Sequence, residues 1–281
     1  MKPRKEPRKQ VLIVGLGHIG ASLAAKLSSE GWGVWGWDKS AAAVKHCQRK
    51  KWLYQVAGVD NLPSRGCELC IVATPESAVD DAAFLKILKN LPKHMIVSDV
   101  FSSKGAATKR LGAHCKSLRL KFAWSHPLAG REGQGAESSD AAIFKNAVVL
   151  VDASASAALR VAKFWKSMGC KVEKVSTSTH QKSLALGSHL MHVIAYSSVR
   201  VVDRGARLSP SVLGVTRVAR SNAVAWAGIL LSNQLEVSKA VRAFSRELDG
   251  LLRLIESGDE GGLRSRLLGA QRLREKIGGP L

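Results

Sequence analysis

The feature that most restricts this chain is an apolar run, VLIV at residues 11–14, that leads directly into Gly15-Leu16-Gly17-His18-Ile19-Gly20. Such a run, closed by glycine, reads as a parallel strand buried on both faces. The first glycine permits a tight turn, the second lets the backbone approach a pyrophosphate, and the third lets the following helix pack on the strand. Free N–H groups at that helix's N-terminus then point at the phosphates. Gly15, Gly17, His18, Ile19 and Gly20 are therefore candidate cofactor residues. A second run, GVWGWD, ends at Asp38, 18 residues past Gly20. A carboxylate there can bind both ribose hydroxyls of NAD and repels the 2′-phosphate of NADP, an effect that the neighbouring Lys39 opposes.

Further strand-like runs follow: CELCIVATP (Cys67 to Pro75), MIVSDV (Met95 to Val100), KFAWSHP (Lys121 to Pro127) and NAVVLVD (Asn146 to Asp152). Thr74 and Pro75, closing the first of these, are taken with the glycine loop as cofactor residues. Helix-compatible segments between the runs, such as Ile19 to Ser29 and Ala78 to Lys89, give βαβ units and a parallel sheet with helices on both faces. From Thr177 onward only helical periods remain, broken near Arg207–Pro210 and Gly258–Gly262. The expected class is α/β: a basic arm over residues 1–10, a Rossmann-type NAD-binding domain over 11–175, and an all-helical domain over 176–281. Lys182 to Arg200 is apolar nearly all round and must be buried on every side. About a hundred residues can hardly cover it, so the helical domain is expected to form a homodimer.

Composition narrows the class. Hydrophobic residues make up 46% of the 281, which excludes a disordered or collagen-like chain. Five scattered cysteines make no disulfide scaffold and fit a reducing compartment. The longest charge-free apolar stretch, Ser183 to Val199, contains two histidines and falls short of a membrane span. The basic N-terminus leads into a glycine loop rather than the apolar core of a secretory signal, so the cytoplasm is the expected location. A net charge of +21 raises nucleic acid as a partner. Beyond the arm, however, most basic residues stand singly, Arg49-Lys50-Lys51 before Trp52 being the longest run, which fits a positive potential that attracts small anions.

Three motifs carry chemistry. Ser98-Asp99-Val100-Phe101-Ser102-Ser103-Lys104-Gly105 runs from a buried strand into a polar loop, at the strand end where α/β sheets place their sites. Ser102 and Lys104 could orient a small anionic substrate, or Asp99 or Ser102 could cap the next helix. Trp124-Ser125-His126-Pro127-Leu128-Ala129-Gly130-Arg131-Glu132-Gly133 presents His126 at another strand end, a plausible general base. His18, His46, His94, His114 and His180 read as surface or loop residues, with His18 touching the phosphate loop. His189 and His192 share a helix face, continued by Tyr196. With no acid or cysteine nearby they form no metal ligand set, so a substrate contact or a core pair is expected. Cys67 and Cys70 form a CxxC whose members should point to opposite faces of a strand. Arg217, in an apolar helical context with few acids, could pair with a substrate carboxylate.

Taken in order, GLGHIG, SDVFSSKG, SHPLAGREGQG with AESSDAAIFKNA, THQKSLALGSHLMHVIAY and VTRVARSNAVAWAGILLSN resemble the prephenate/arogenate dehydrogenase family of tyrosine biosynthesis, over nearly the whole chain. The resemblance implies a Rossmann domain joined to a helical dimerisation domain, and NAD-dependent oxidative decarboxylation of a cyclohexadienol. It gives His126 the proton of the ring hydroxyl and Ser102 a hydrogen bond to that hydroxyl. Arg217 would hold a substrate carboxylate, His192 and His189 would line the pocket, and Glu132 would stand near its mouth. The chain departs from the family at Phe101 (usually glycine), Met191 (usually proline), His18 (usually apolar) and Leu213 (often a second basic residue). Another two-domain NAD(P)-linked dehydrogenase, acting on a β-hydroxyacid or an imine, or a nucleic-acid-binding protein on a dinucleotide fold, are the competing readings.

Overall fold

The strand β1 (Gln10–Val14) is buried along its whole length, and strict alternation divides its side chains between two cores. Val11 and Ile13 pack on one face with α1 (His18–Ser29) and α5 (Ala158–Ser167). Leu12 and Val14 pack on the other with α3 (Ala82–Lys89) and α4 (Ala106–Ser117). In the computed structural model, which describes residues 7–63, 66–129, 133, 135–202 and 209–277, β1 is central to a six-stranded sheet. With β2 (Gly33–Trp37), β3 (Gln55–Val56), β4 (Cys67–Val72), β5 (Ile96–Asp99) and β6 (Lys121–Phe122), the order is β3-β2-β1-β4-β5-β6, all parallel. The strand order reverses between β1 and β4, and a crevice opens at their carboxyl ends. The helix α2 (Ala41–Arg49) links β2 to β3 and is capped by Ser40, whose Oγ accepts from the Ala43 N–H.

Three sequence expectations change here. KFAWSHP is not one strand: after β6 the chain turns into β7 (Ser125–Pro127), which starts a second sheet, β7-β8-β9, with β8 (Val148–Asp152) and β9 (Lys171–Val175). There β7 is antiparallel to β8 while β9 is parallel to it, so the α/β region is not one parallel sheet. β9 was not foreseen, because three of its five residues are charged and it lies exposed at an edge. Cys67 and Cys70 do not point to opposite faces. Gln10 pairs with Cys67 but Leu12 with Cys70, an irregularity of one residue in β4 that brings both thiols into the same core. All five cysteines are free and buried, and burial pushes the Cys67 and Cys115 thiols up to about 12, which leaves them inert.

The chain forms two compact units: residues 1–183 with 221–233, and 184–220 with 234–281. Of the expected basic arm, residues 1–6 lie outside the described residues, and Gln10 is already a buried member of β1. Two helices from the helical half belong to the first unit, α6 (Thr177–Leu184) up to Ser183 and α9 (Ala223–Ser232). The Asn233 amide, which follows α9, donates to the Gln181 carbonyl at 2.8 Å, and Gly105 approaches the Ser232 carbonyl so closely that a Cβ would sit 2.1 Å from it.

The second unit is helical throughout its described residues. A π turn (Ala185–His189) runs into α7 (Leu190–Val202), followed by α8 (Pro210–Thr216), a 3₁₀ turn (Arg217–Arg220), α10 (Gln234–Glu256) and α11 (Glu260–Ile277). Ser209 caps α8 by accepting from the Val212 N–H, with Pro210 in the first turn where its missing N–H costs nothing. Arg266 grips Glu247 through two bonds of 2.7 Å, joining α11 to α10. The apolar segment 182–200 is not covered within one chain, since Leu186 is 59% and Met191 45% exposed. No helix among the described residues is long and apolar enough to cross a membrane.

His189 closes the π turn and is buried, which pushes its imidazole down to about 4, with His192 adding a smaller push the same way. A histidine with a depressed native pKa binds its proton more readily when unfolded, so stability rises with pH across the interval between the two values. The fold should therefore lose stability as pH falls from about 6.5 toward 4, and His189→Gln should flatten that slope. Urea midpoints measured across pH for both proteins check this; identical slopes would count against it.

Candidate active site

At the carboxyl ends of β1 and β4 the glycine loop is built by exclusion. Gly15 has φ +98°, and a Cβ there would lie 2.6 Å from the Ala73 carbonyl and the Thr74 nitrogen. At Gly20 a Cβ would lie 1.8 Å from the Gly15 carbonyl oxygen, so only glycine lets α1 start against the turn. Gly17 faces open space, and α1 begins at His18 with no side chain capping it. That leaves its first N–H groups for an anion. A cavity of about 310 Å³ lies beside the loop, between Asp38, Thr74, Pro75 and Ala136. Two buried polar atoms here lack a hydrogen-bond partner, His18 Nε2 and Thr74 Oγ1. Ile19 packs partly buried against the core rather than facing the cavity. Asp38 follows β2 and accepts from the Leu16 N–H at 2.6 Å and the Ser40 N–H at 2.7 Å. Each carboxylate oxygen keeps a further lone pair for a sugar hydroxyl. Lys39 reaches across to Asp81 at 3.0 Å. The loop, cavity and unpaired atoms fit a dinucleotide.

Next to this crevice, β5 ends in Asp99, which forms a buried ion pair with Lys104; both side chains are fully inaccessible. The same ammonium donates to the Ser125 carbonyl at 2.9 Å, and Ser125 Oγ donates to the Asp99 carbonyl at 2.9 Å. Lys104 is thus not the substrate-orienting cation expected from the sequence. Its charge is neutralised beneath the strands, where it ties β5 to β7. Burial pushes the Asp99 carboxyl up and the Lys104 ammonium down, and their mutual attraction opposes both shifts. The capping alternative also fails, because α4 is preceded by Gly105 with no side-chain cap. Ser102 is half-buried in this loop, and Phe101 lies in the core under the Lys104 ammonium. Glu76, which the sequence gave no reason to single out, accepts from Ser103 Oγ at 3.3 Å, and burial raises its carboxyl.

His126 sits on β7, buried, with Nδ1 3.0 Å from Nε2 of His180. His180 is not a surface residue as expected. It is wholly buried on α6, where Trp124 meets it edge-on at 5.1 Å and fixes α6 by donating to Thr177 Oγ1 at 3.1 Å. Sequence reasoning missed it because a histidine in THQK shows no periodicity that marks a buried face.

In the second unit, His192 Nδ1 donates to the Ser188 carbonyl at 3.1 Å, so Nε2 is its acceptor nitrogen when neutral. Burial, with a smaller push from the Arg217 charge, keeps His192 below its ordinary value. Arg217 is exposed in the single chain. Glu132 lies outside the described residues. Among the described residues no three His, Cys, Asp or Glu side chains gather as a metal ion requires.

Comparison with known proteins places this geometry in one family. Residues 23–174 match the nucleotide-binding domain of prephenate dehydrogenase and residues 176–268 its dimerization domain. A cyclohexadienyl dehydrogenase of Zymomonas mobilis is 27% identical, aligned over 95% of each chain. Among solved structures, Aquifex aeolicus prephenate dehydrogenase in complex with hydroxyphenyl propionate and NAD+ superposes with a TM-score of 0.82 at 24% identity, over 98% of this chain and 100% of that one. Synechocystis arogenate dehydrogenase does so with a TM-score of 0.80 at 21% identity, over 96% and 100%. With both family domains matched in order across most of its length, the chain belongs to the prephenate dehydrogenase family.

Proposed function

We propose that this protein catalyses the NAD-dependent oxidative decarboxylation of prephenate or arogenate. The observation that carries the reading is His126, buried on β7 with one ring nitrogen engaged by His180, in a chain of this family. The Zymomonas relative's name and the NAD+ in the Aquifex structure support it. Bound NAD would supply the hydride acceptor for the ring carbon that bears the hydroxyl. Gly15, Gly17, Gly20, His18 and Thr74 hold the pyrophosphate end, and Asp38 the ribose. His126 takes the hydroxyl proton through Nε2 while Ser102 bonds the same oxygen. The ring carboxylate then leaves as CO2, its bonding pair aromatises the ring, and the proton returns to the oxygen, which becomes a phenol. Arg217 binds a substrate carboxylate, a task that suits its planar fork, and His189 and His192 shape the pocket. Leu213, where many members carry a second cation, favours the less anionic arogenate.

We assign the working form to a homodimer built on the helical unit. Leu252, Ile255, Leu273 and Ile277 on α10 and α11 are each more than half exposed in the single chain, apolar side chains that a second copy would cover. The cytoplasm, where five free buried thiols stay reduced, is the location that fits.

Five outcomes test the reading. NADH should form from NAD with prephenate or with arogenate, assayed in parallel, and His126→Asn should cut kcat by about 10²–10⁴ with KM little changed, as removal of a positioned base does. Arg217→Ala should instead raise KM, and silence with both substrates would overturn the assignment. Asp38→Ser should improve NADP use relative to NAD, read as the ratio of kcat/KM values. Sedimentation equilibrium should return twice the chain mass, and a monomer at micromolar concentration would remove the dimer.

A further inference from the structure

Hydrogen-bond polarity can be followed through four groups of the first unit, and with both imidazoles neutral it has one consistent solution. The Lys104 backbone N–H can only donate, so the Gln181 side-chain atom 3.0 Å from it is the amide oxygen. That same oxygen lies 3.4 Å from His180 Nδ1. An amide oxygen cannot donate, so His180 carries a proton on Nδ1, and when neutral its Nε2 is an acceptor. His126 Nδ1, 3.0 Å away, is then the donor. A neutral His126 protonated on Nδ1 has its lone pair on Nε2, the form a general base needs.

We propose that His180 and Gln181 are positioning residues that set the tautomer of His126. The proposal rests on the reading of His126 as the base. The chain runs from the Lys104 N–H to Gln181 Oε1, which also accepts from His180 Nδ1–H, and His180 Nε2 accepts from His126 Nδ1–H. No step of it moves a proton between residues; it fixes where the protons stand before substrate arrives. The partner of the base is here a neutral imidazole oriented by an amide, in the place where a carboxylate serves in a serine-protease triad. Placement is enforced from several sides. His180 is wholly buried against Trp124, its backbone N–H bonds the Ser176 carbonyl at 2.9 Å, and the Gln181 carbonyl is held by Asn233.

Among the described residues of this unit, charged groups stand on several elements packed around His126. Asp99, from β5, is neutralised by Lys104, whose ammonium lies on the Ser125 carbonyl. Asp152, on β8, binds the N–H and hydroxyl of Ser154. Glu76 is bonded to Ser103. Lys182 is the charged residue on α6 next to the pair.

The test is the nitrogen chemistry of the histidines, read by long-range ¹H–¹⁵N correlation on histidine-labelled protein without substrate. The expected result is Nδ1-protonated His126 and His180 above the range where they become cations. An Nε2-protonated neutral His126 overturns the proposal. Gln181→Met, which removes the acceptor at similar volume, should release His180 to its other tautomer and lower kcat about 10-fold or more with KM unchanged, within the 10²–10⁴ a positioned base contributes. Gln181→Glu keeps an acceptor and adds a negative charge that favours the imidazolium. It should restore kcat relative to Gln181→Met and move the acidic limb of kcat/KM to higher pH. Unchanged tautomers and pH limb in both variants would overturn the relay. The spectra need no turnover, so a relay that fails is distinguishable from a base assignment that fails, which His126→Asn reports separately.

Discussion

The buried Lys104–Asp99 pair is the point on which the surroundings of His126 in the first unit depend. Its ammonium neutralises the carboxylate at the end of β5 and holds the Ser125 carbonyl on β7, while the Lys104 backbone N–H holds Gln181 on α6. One residue therefore ties together three elements that come from distant parts of the chain. Removing either partner of such a pair would leave a bare charge in an apolar setting, at a cost of about 3–5 kcal/mol. The pair does not touch a ligand, yet the position of His126 follows from it, because His126 is the residue after Ser125.

The cofactor end is built on a different principle. There is little charge at the glycine loop, and the site consists of space that side chains are kept out of. Gly15 and Gly20 allow the turn, α1 and β4 to meet, and Gly17 leaves the backbone open in front of a helix start. The unpaired Thr74 Oγ1 borders that space, and His18 Nε2, at the start of α1, is unpaired as well. Buried polar atoms are rarely left unbonded, so a site with two of them is one that a polar ligand completes.

Much of this was legible in the sequence. VLIV followed by GLGHIG determines a strand, a turn and a helix, since four apolar residues must be buried on both faces and the glycines permit only one geometry. Asp38, Thr74 and Pro75 fall at the cavity because strand ends in such a sheet share one edge. The loss of strand signal after residue 176 was equally plain. The division of KFAWSHP was not legible, because where a chain leaves one sheet for another depends on which strands are already paired. The shared face of Cys67 and Cys70 depends on an irregular register with β1 that neither strand encodes alone.

The roles of Lys104, His180 and Gln181 show most clearly what only tertiary structure decides. In sequence Lys104 is a cation beside two serines at a strand end, a reasonable ligand for an anion. His180 is one histidine among eight. Folding buries both, and burial changes what a polar group must do, since out of water each donor and acceptor has to find a protein partner. Local pattern determined the strands and the glycine loop. Which groups His126 and Gln181 bond was decided by contacts across 54 and 77 positions of the chain, because hydrogen-bond partners of buried groups are chosen by proximity in space.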